Sequence, residues 1–213
     1  MFKSKQDFIH FVVVEEILRF GDFTLKSGRK SPYFFNTGLC NNGKLLSNLS
    51  AFYASYINDN DIEADFIFGP AYKGITLCSS ISQSLYINYN KPISFAFNRK
   101  ESKDHGDVGA FVGTPISGNA LIVDDVISSG SSIIESYKML KDTGANSTIA
   151  LVAFDRQEIG EESTASKEIK KNYGIDVHSL ISLIDIREFI GDDRRLKKYA
   201  KAMDDYISKY KGN

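Results

Sequence analysis

Four stretches of this chain run apolar through their centres: ADFIFGP (64–70), KPISFAF (91–97), NALIVDDV (119–126) and STIALVAFD (147–155). A strand with one wet face alternates polar and apolar residues, so strands without that alternation need cover on both faces. Helical spacing recurs between and after them, at residues 44–57, 74–87, 132–141 and 163–173, and IDVHSLIS (175–182) reads as a last strand. Strands and helices in alternation predict an α/β fold, a parallel sheet flanked by helices. Ligands of such sheets bind beyond the carboxyl ends of the strands. The chemically suggestive stretches of this sequence all fall there.

Composition narrows the class. At 213 residues the chain can bury one sizeable core, with or without a small appendage. Lys and Arg total 26 against 27 Asp and Glu, a formal charge of -1, which argues against broad nucleic-acid binding. No apolar run approaches the roughly 18 residues of a membrane span. MFKSKQDFIHFVVVEEILRF at the start has no small-residue cleavage site, and Glu15 and Glu16 break its apolar patch. It reads as an amphipathic helix and not a signal peptide. Cys40 and Cys78 lack metal-ligand spacing and read as reduced, structural thiols of a cytosolic protein. The first 40 residues do not follow the strand–helix alternation and are expected to form a small flap, with two strands around a Ser27-Gly28 turn.

The most informative stretch is ALIVDDVISSGSSIIES, residues 120–136. An apolar strand ends in Asp124 and Asp125, then a Ser/Gly loop leads into a helix. Ser132 and Glu135 have capping-box spacing, which places the helix start near Ser132. Free N–H groups at a helix start form an anion site, and Gly130 permits close backbone approach, with Ser128, Ser129, Ser131 and Ser132 as further donors. Paired carboxylates beside an anion would repel it unless they bind something else. Hydroxyls of a sugar, or a Mg²⁺ shared with phosphates, would suit them. Together they predict a sugar phosphate as ligand.

Other candidates are weaker when taken singly. NRKESKDHGDVGAFVGTPISG (98–118) is a long polar loop carrying Arg99, Lys100, Lys103 and His105, which suits a lid over a polyanion. GPAYKG (69–74) is a tight strand-to-helix turn with Lys73 at the helix start, and Lys26 precedes a basic hairpin tip. Phe34-Phe35 alone would be core. Arg156 follows a strand end and could pair with a carboxylate in bidentate fashion. His10 and His178 lie in apolar elements and read as packing residues.

LIVDDVISSGSS resembles the activated-sugar motif of the type I phosphoribosyltransferases. With FTLKSGRKSPYFFN, FGPAYKGI, FNRKESKDHG and DRQE in order, nearly the whole chain resembles the bacterial orotate phosphoribosyltransferases. That resemblance implies a hood of helix and strands at 1–40, a core at 41–185 with lid loop 98–118, and a helical segment at 186–213 packed on the core. It implies Mg²⁺-dependent transfer of ribose 5-phosphate from 5-phosphoribosyl 1-diphosphate to orotate, giving orotidine 5′-phosphate in pyrimidine synthesis. By position, Asp124 and Asp125 would hold the ribose hydroxyls, and the loop Val126, Ile127, Ser128, Ser129, Gly130, Ser131, Ser132 the 5′-phosphate. Tyr72, Lys73 and Lys26 would meet the diphosphate. Arg99, Lys100, Lys103 and His105 would form the lid, which in the family partly serves the neighbouring subunit of a homodimer. Phe34, Phe35, Ser128 and Arg156 would hold orotate. Lys103, Lys73 and the two aspartates would carry catalysis, in a cytoplasmic enzyme without nucleic-acid or membrane partners. The family often has Thr where Ser128, Ser131 or Ser132 stand, a change that keeps the hydroxyl.

Three other readings compete. A related transferase for another base would lack use for Phe34-Phe35 with Arg156, which suit a flat anionic base. A regulatory module binding the sugar without turnover would be expected to lose the lid cations or gain a DNA-binding segment. A phosphatase with an aspartate nucleophile would place Asp124 nearer the chain start, and its later acidic motif, Gly191-Asp192-Asp193, reads better as a helix cap.

Overall fold

The computed structural model describes residues 4–25, 28–100 and 110–212. Helix α1 (Lys5–Val14) starts at a capping box, in which the Ser4 hydroxyl accepts from the Asp7 N–H and the Asp7 carboxylate takes the Ser4 N–H. Strands β1 (Leu18–Thr24) and β2 (Lys30–Phe35) pair as an antiparallel ribbon, with Leu18 opposite Phe35. Helix α2 (Gly43–Asp59) leads into the main sheet.

That sheet is built from β3 (Phe66–Gly69), β4 (Ser94–Asn98), β5 (Phe111–Gly113), β6 (Asn119–Ile127), β7 (Asn146–Asp155) and β8 (Asp176–Ser182), in the order β5-β4-β3-β6-β7-β8. Helices α3 (Lys73–Tyr89), α4 (Ser131–Asp142) and α5 (Ala165–Tyr173) make the crossovers after β3, β6 and β7. Strands β4, β3, β6, β7 and β8 run parallel.

Each central strand feeds two cores, because successive side chains leave opposite faces. Leu121 and Val123 of β6, with Leu151 of β7, join a core shared by α1, α2 and α3. Ala120 and Ile122, with Ala150 and Val152, face Ile133 and Leu140 of α4 and Ile169 of α5. This double cover is why the runs read as continuously apolar.

The structure departs from expectation at three places. The stretch 98–118 is not one loop, because Phe111–Gly113 forms β5, antiparallel to β4 at the sheet edge. Three residues ending in glycine are too short for a periodic signal. The C-terminal segment holds two helices, α6 (Leu183–Asp192) and α7 (Ala200–Tyr210), separated by a 3-10 turn over Lys197–Tyr199. The α6 start was legible, since Ser182 and Asp185 form a capping box, with the Ser182 N–H 2.7 Å from Asp185 Oδ2. His10 is exposed on the outer face of α1 and is not a packing residue, whereas His178 is half-buried and meets the Tyr56 hydroxyl at 3.0 Å. Among the described residues no helix is long and apolar enough to cross a membrane.

The connection after β3 goes to β4 on one side, and the chain then returns to place β6 on the other. This reversal opens a crevice beyond the carboxyl ends of β3 and β6.

Candidate active site

Both walls of that crevice are tight turns. After β3, Gly69 and Gly74 meet backbone to backbone, and a Cβ on either would overlap the other's main chain. Only glycine permits that approach, and it sets Tyr72 and Lys73 at the start of α3. The Ala71 N–H donates to Asn98 Oδ1 at 2.8 Å, which ties this turn to the end of β4. Tyr72 is 67% exposed, and Lys100 Nζ lies 4.8 Å from its ring centroid.

After β6, Gly130 adopts φ +77 and precedes α4 at Ser131. The expected Ser132–Glu135 capping box is not formed and Gly130 offers no capping side chain; the Ser131 N–H reaches Ser129 Oγ only at 3.5 Å. The Ser132 hydroxyl acts instead on the Asp124 carboxyl, favouring its charged form. Val126 is half-buried and Ile127 buried in the core, so at these positions the backbone, and not the side chain, is available to a ligand. Ser128 and Ser129 are exposed, and Ser129 Oγ lies 3.3 Å from Ser131 Oγ.

The two acids differ in environment. Asp125 is buried and accepts from Lys73 Nζ at 2.6 Å and from the Thr37 hydroxyl at 2.8 Å. Asp124 is half-buried; burial and the adjacent Asp125 push its carboxyl up to about 6, against hydrogen bonds from Ser132 and the Asp125 N–H. The Tyr53 hydroxyl donates to the Asp124 carbonyl at 2.8 Å and braces the strand end.

Phe34 and Phe35 are separated by strand alternation. Phe35 packs inward on Phe154, with centroids 5.2 Å apart, while Phe34 stacks on Phe23 at 5.6 Å under the Arg19 guanidinium. The Asn36 N–H donates to Ile17 O at 2.9 Å, so by alternation the Phe35 N–H points away from β1. A flat ligand at this edge would meet main chain as well as rings.

Arg156 lies beyond β7, its guanidinium 5.3 Å from the Tyr33 ring centroid. It is not in a bidentate pair: its NH2 meets Glu158 Oε1 at 2.7 Å and the Tyr206 hydroxyl at 3.0 Å. Its Nε is buried with no partner among the described residues. Lys26, Lys103 and His105 lie outside the described residues. Thr37 and Glu158 are the polar residues that sequence reasoning missed. Thr37 carries no local signal, whereas Glu158 ends the DRQE stretch.

Cys40 and Cys78 are free thiols, and burial pushes them up to about 11 and about 12, so both stay protonated.

The Phosphoribosyl transferase domain matches residues 41–179, which hold both turns and the sheet as far as the first part of β8. The chain is 45% identical over 207 residues to the orotate phosphoribosyltransferase of Pseudomonas syringae pv. tomato, covering 97% of each. It is 44% identical to that of Pseudomonas aeruginosa over the same share. The crystal structure of orotate phosphoribosyltransferase from Francisella tularensis superposes with a TM-score of 0.87 at 37% identity, over 100% of this chain and 99% of that one. The chain therefore belongs to the phosphoribosyl transferase domain family and, within it, to the orotate phosphoribosyltransferases.

Proposed function

We propose that the chain transfers ribose 5-phosphate from 5-phosphoribosyl 1-diphosphate to orotate, giving orotidine 5′-phosphate and diphosphate in pyrimidine synthesis. One observation carries the assignment of parts: an acid pair lies near the end of β6, and six residues after Asp125 the start of α4 opens beyond it without a capping side chain on Gly130. Asp124 and Asp125 accept from the ribose hydroxyls, while the backbone of residues 126–132 takes the 5′-phosphate. Lys73 and Tyr72, with Lys26 from the hood, face the diphosphate. Arg99, Lys100, Lys103 and His105 close over it. Orotate lies against Phe34 and the Phe35 main chain, its carboxylate toward Arg156 and its ring near Ser128.

In the reaction a ring nitrogen of orotate gives up its proton, to the departing diphosphate or to water, and forms a bond to the anomeric carbon. The bond to diphosphate breaks, and that leaving group takes the electron pair. Negative charge grows on the diphosphate, where lysine and arginine side chains in a water-poor site stabilise it most. Closure of the lid also keeps water from the activated sugar. Mg²⁺, a hard cation that takes oxygen ligands, fits these residues, because the carboxylates of Asp124 and Asp125 stand next to each other near the end of β6. A Mg²⁺ shared with substrate phosphates needs only one or two carboxylates nearby, which Asp124 and Asp125 supply. Bound there, it would neutralise developing charge on the diphosphate.

A cytoplasmic homodimer with lids shared between subunits completes the reading. Family likeness supports it, as do Tyr86 and Ile87, exposed apolar side chains at the end of α3. Sedimentation velocity tests the dimer, and a monomeric chain with full activity would overturn it. The function itself is tested by following orotate absorbance with the activated sugar, with and without Mg²⁺. Consumption that needs both is expected, and turnover of hypoxanthine but not orotate would refute the assignment.

A further inference from the structure

Glu158 is 6% exposed and lies at the centre of a set of donors from four segments of the chain. Its Oε1 accepts from Arg156 NH2 at 2.7 Å and from the Tyr206 hydroxyl on α7. Its Oε2 accepts from Arg29 NH1 at 2.8 Å and from Ser128 Oγ at 3.1 Å. Arg29 belongs to the β1–β2 connection and also lies over the Tyr210 ring, 4.6 Å from its centroid. Both carboxylate oxygens are thus occupied, and the carboxylate meets two guanidiniums.

We propose that Glu158 is a positioning residue that sets the chain's preference for an anionic base, by holding Arg156 and Ser128 in one fixed arrangement. The inference rests on the proposed placement of orotate between those two residues.

The geometry gives Glu158 two effects. It takes one terminal nitrogen of Arg156, while Tyr206 takes the same nitrogen and Tyr33 lies against the guanidinium. The plane of the group is thereby fixed, and the buried Nε lies at an edge that no described residue uses. A charge-assisted bond depends on that alignment. The second effect is on charge and runs against the first. Glu158 offsets one of the two guanidiniums, so its removal alone would strengthen the pull on an anionic base, and a rise in the orotate KM therefore reports the lost alignment. Burial raises the Tyr206 phenol above its ordinary range, so it stays protonated and can donate to Glu158.

The test compares the wild-type chain with Glu158→Gln and Tyr206→Phe, all full length. Glu158→Gln keeps the size and removes the charge. It is expected to raise the KM for orotate by at least about fivefold and to lower the orotate-over-uracil ratio of kcat/KM, with the KM for 5-phosphoribosyl 1-diphosphate within about twofold. Tyr206→Phe removes one donor without changing charge, and should shift the orotate KM in the same direction by about two- to threefold. A residue that only holds the fold together would change both KM values alike, or neither. Unchanged orotate KM and unchanged base ratio in folded Glu158→Gln overturn the proposal, as does an equal rise for both substrates. If Glu158→Gln does not fold, Tyr206→Phe decides by the same criterion. A wild-type chain that consumes no orotate refutes the proposed function instead, and is distinguished from these outcomes by the wild-type assay alone.

Discussion

Lys73 Nζ lies 2.6 Å from Asp125 Oδ2, and the Thr37 hydroxyl reaches the same oxygen at 2.8 Å. The cation proposed for the diphosphate is therefore stored on one of the acids proposed for the ribose. Asp125 is buried while the Lys73 side chain is half exposed, so the lysine is the partner free to swing toward an arriving polyanion. The pairing also keeps the crevice from presenting two uncompensated carboxylates to a phosphate ligand.

Lys73→Ala should accordingly harm turnover far more than folding. Loss of its charge is expected to lower kcat by at least about tenfold, near 1.4 kcal/mol of barrier. An ion pair with one exposed partner contributes little to stability, about 1 kcal/mol at most. Steady-state kinetics alongside thermal melts check both halves. A large fall in melting temperature with kcat preserved would make the pair structural.

Asp124 predicts a pH effect on stability. Burial and Asp125 raise its carboxyl from the ordinary 3.8 to about 6. Between those values the folded chain holds a proton that the unfolded chain has released, so stability falls as pH rises through that interval. The loss is complete above the folded value. Asp124→Asn removes the titration, and at pH 7.5 it should be more stable than wild type by about 1 to 3 kcal/mol. The two melting curves should converge near pH 4. Equal stability at both pH values would mean that Asp124 is solvated like an ordinary surface acid.

Gly130 tests the anion loop. Its φ of +77 is strained for any residue with a Cβ, and a Cβ would press on Cδ1 of Ile169. Ile169 can shift that methyl, so the backbone strain dominates. Gly130→Ala should cost about 1 to 3 kcal/mol and weaken the protection that inorganic phosphate gives against thermal unfolding. Retention of full phosphate protection would remove the loop from the phosphate site.

Much of this is legible in the sequence, and the reason is locality. The run from Ala120 through Ser136 carries its own strand, turn and helix, so its parts could be read from neighbours in sequence. Thr37 reaches Asp125 across 88 positions and Glu158 meets Tyr206 across 48, and no local pattern announces such contacts. Helix α6 went unread for a different reason: although Ser182 and Asp185 form a capping box, β8 runs straight into the helix with no glycine or proline at the junction. The capping box at Ser132 failed because that hydroxyl faces Asp124, a competing partner from the preceding strand.

Lys103 lies outside the described residues, so its role rests on sequence. As the lid cation proposed for the leaving diphosphate, its loss in Lys103→Ala should lower kcat by at least about tenfold with melting unchanged. Unchanged steady-state kinetics would remove it from the mechanism.

The acid pair and the helix start make separable claims. If carboxylates hold the ribose hydroxyls and backbone N–H groups hold the phosphate, then Asp124→Asn with Asp125→Asn removes one function and spares the other. Turnover should fall below detection, because two charge-assisted acceptors for the sugar are gone. Phosphate or sulfate should still bind at residues 130–132, since Gly130 and the α4 start are untouched. Removing two negative charges a few residues away would, if anything, tighten that anion by lessening repulsion. Calorimetric titration with inorganic phosphate reads the second claim directly. Normal turnover in the double variant would reduce the aspartates to ordinary polar strand ends, and loss of phosphate binding would show that the two halves of the loop act as one site.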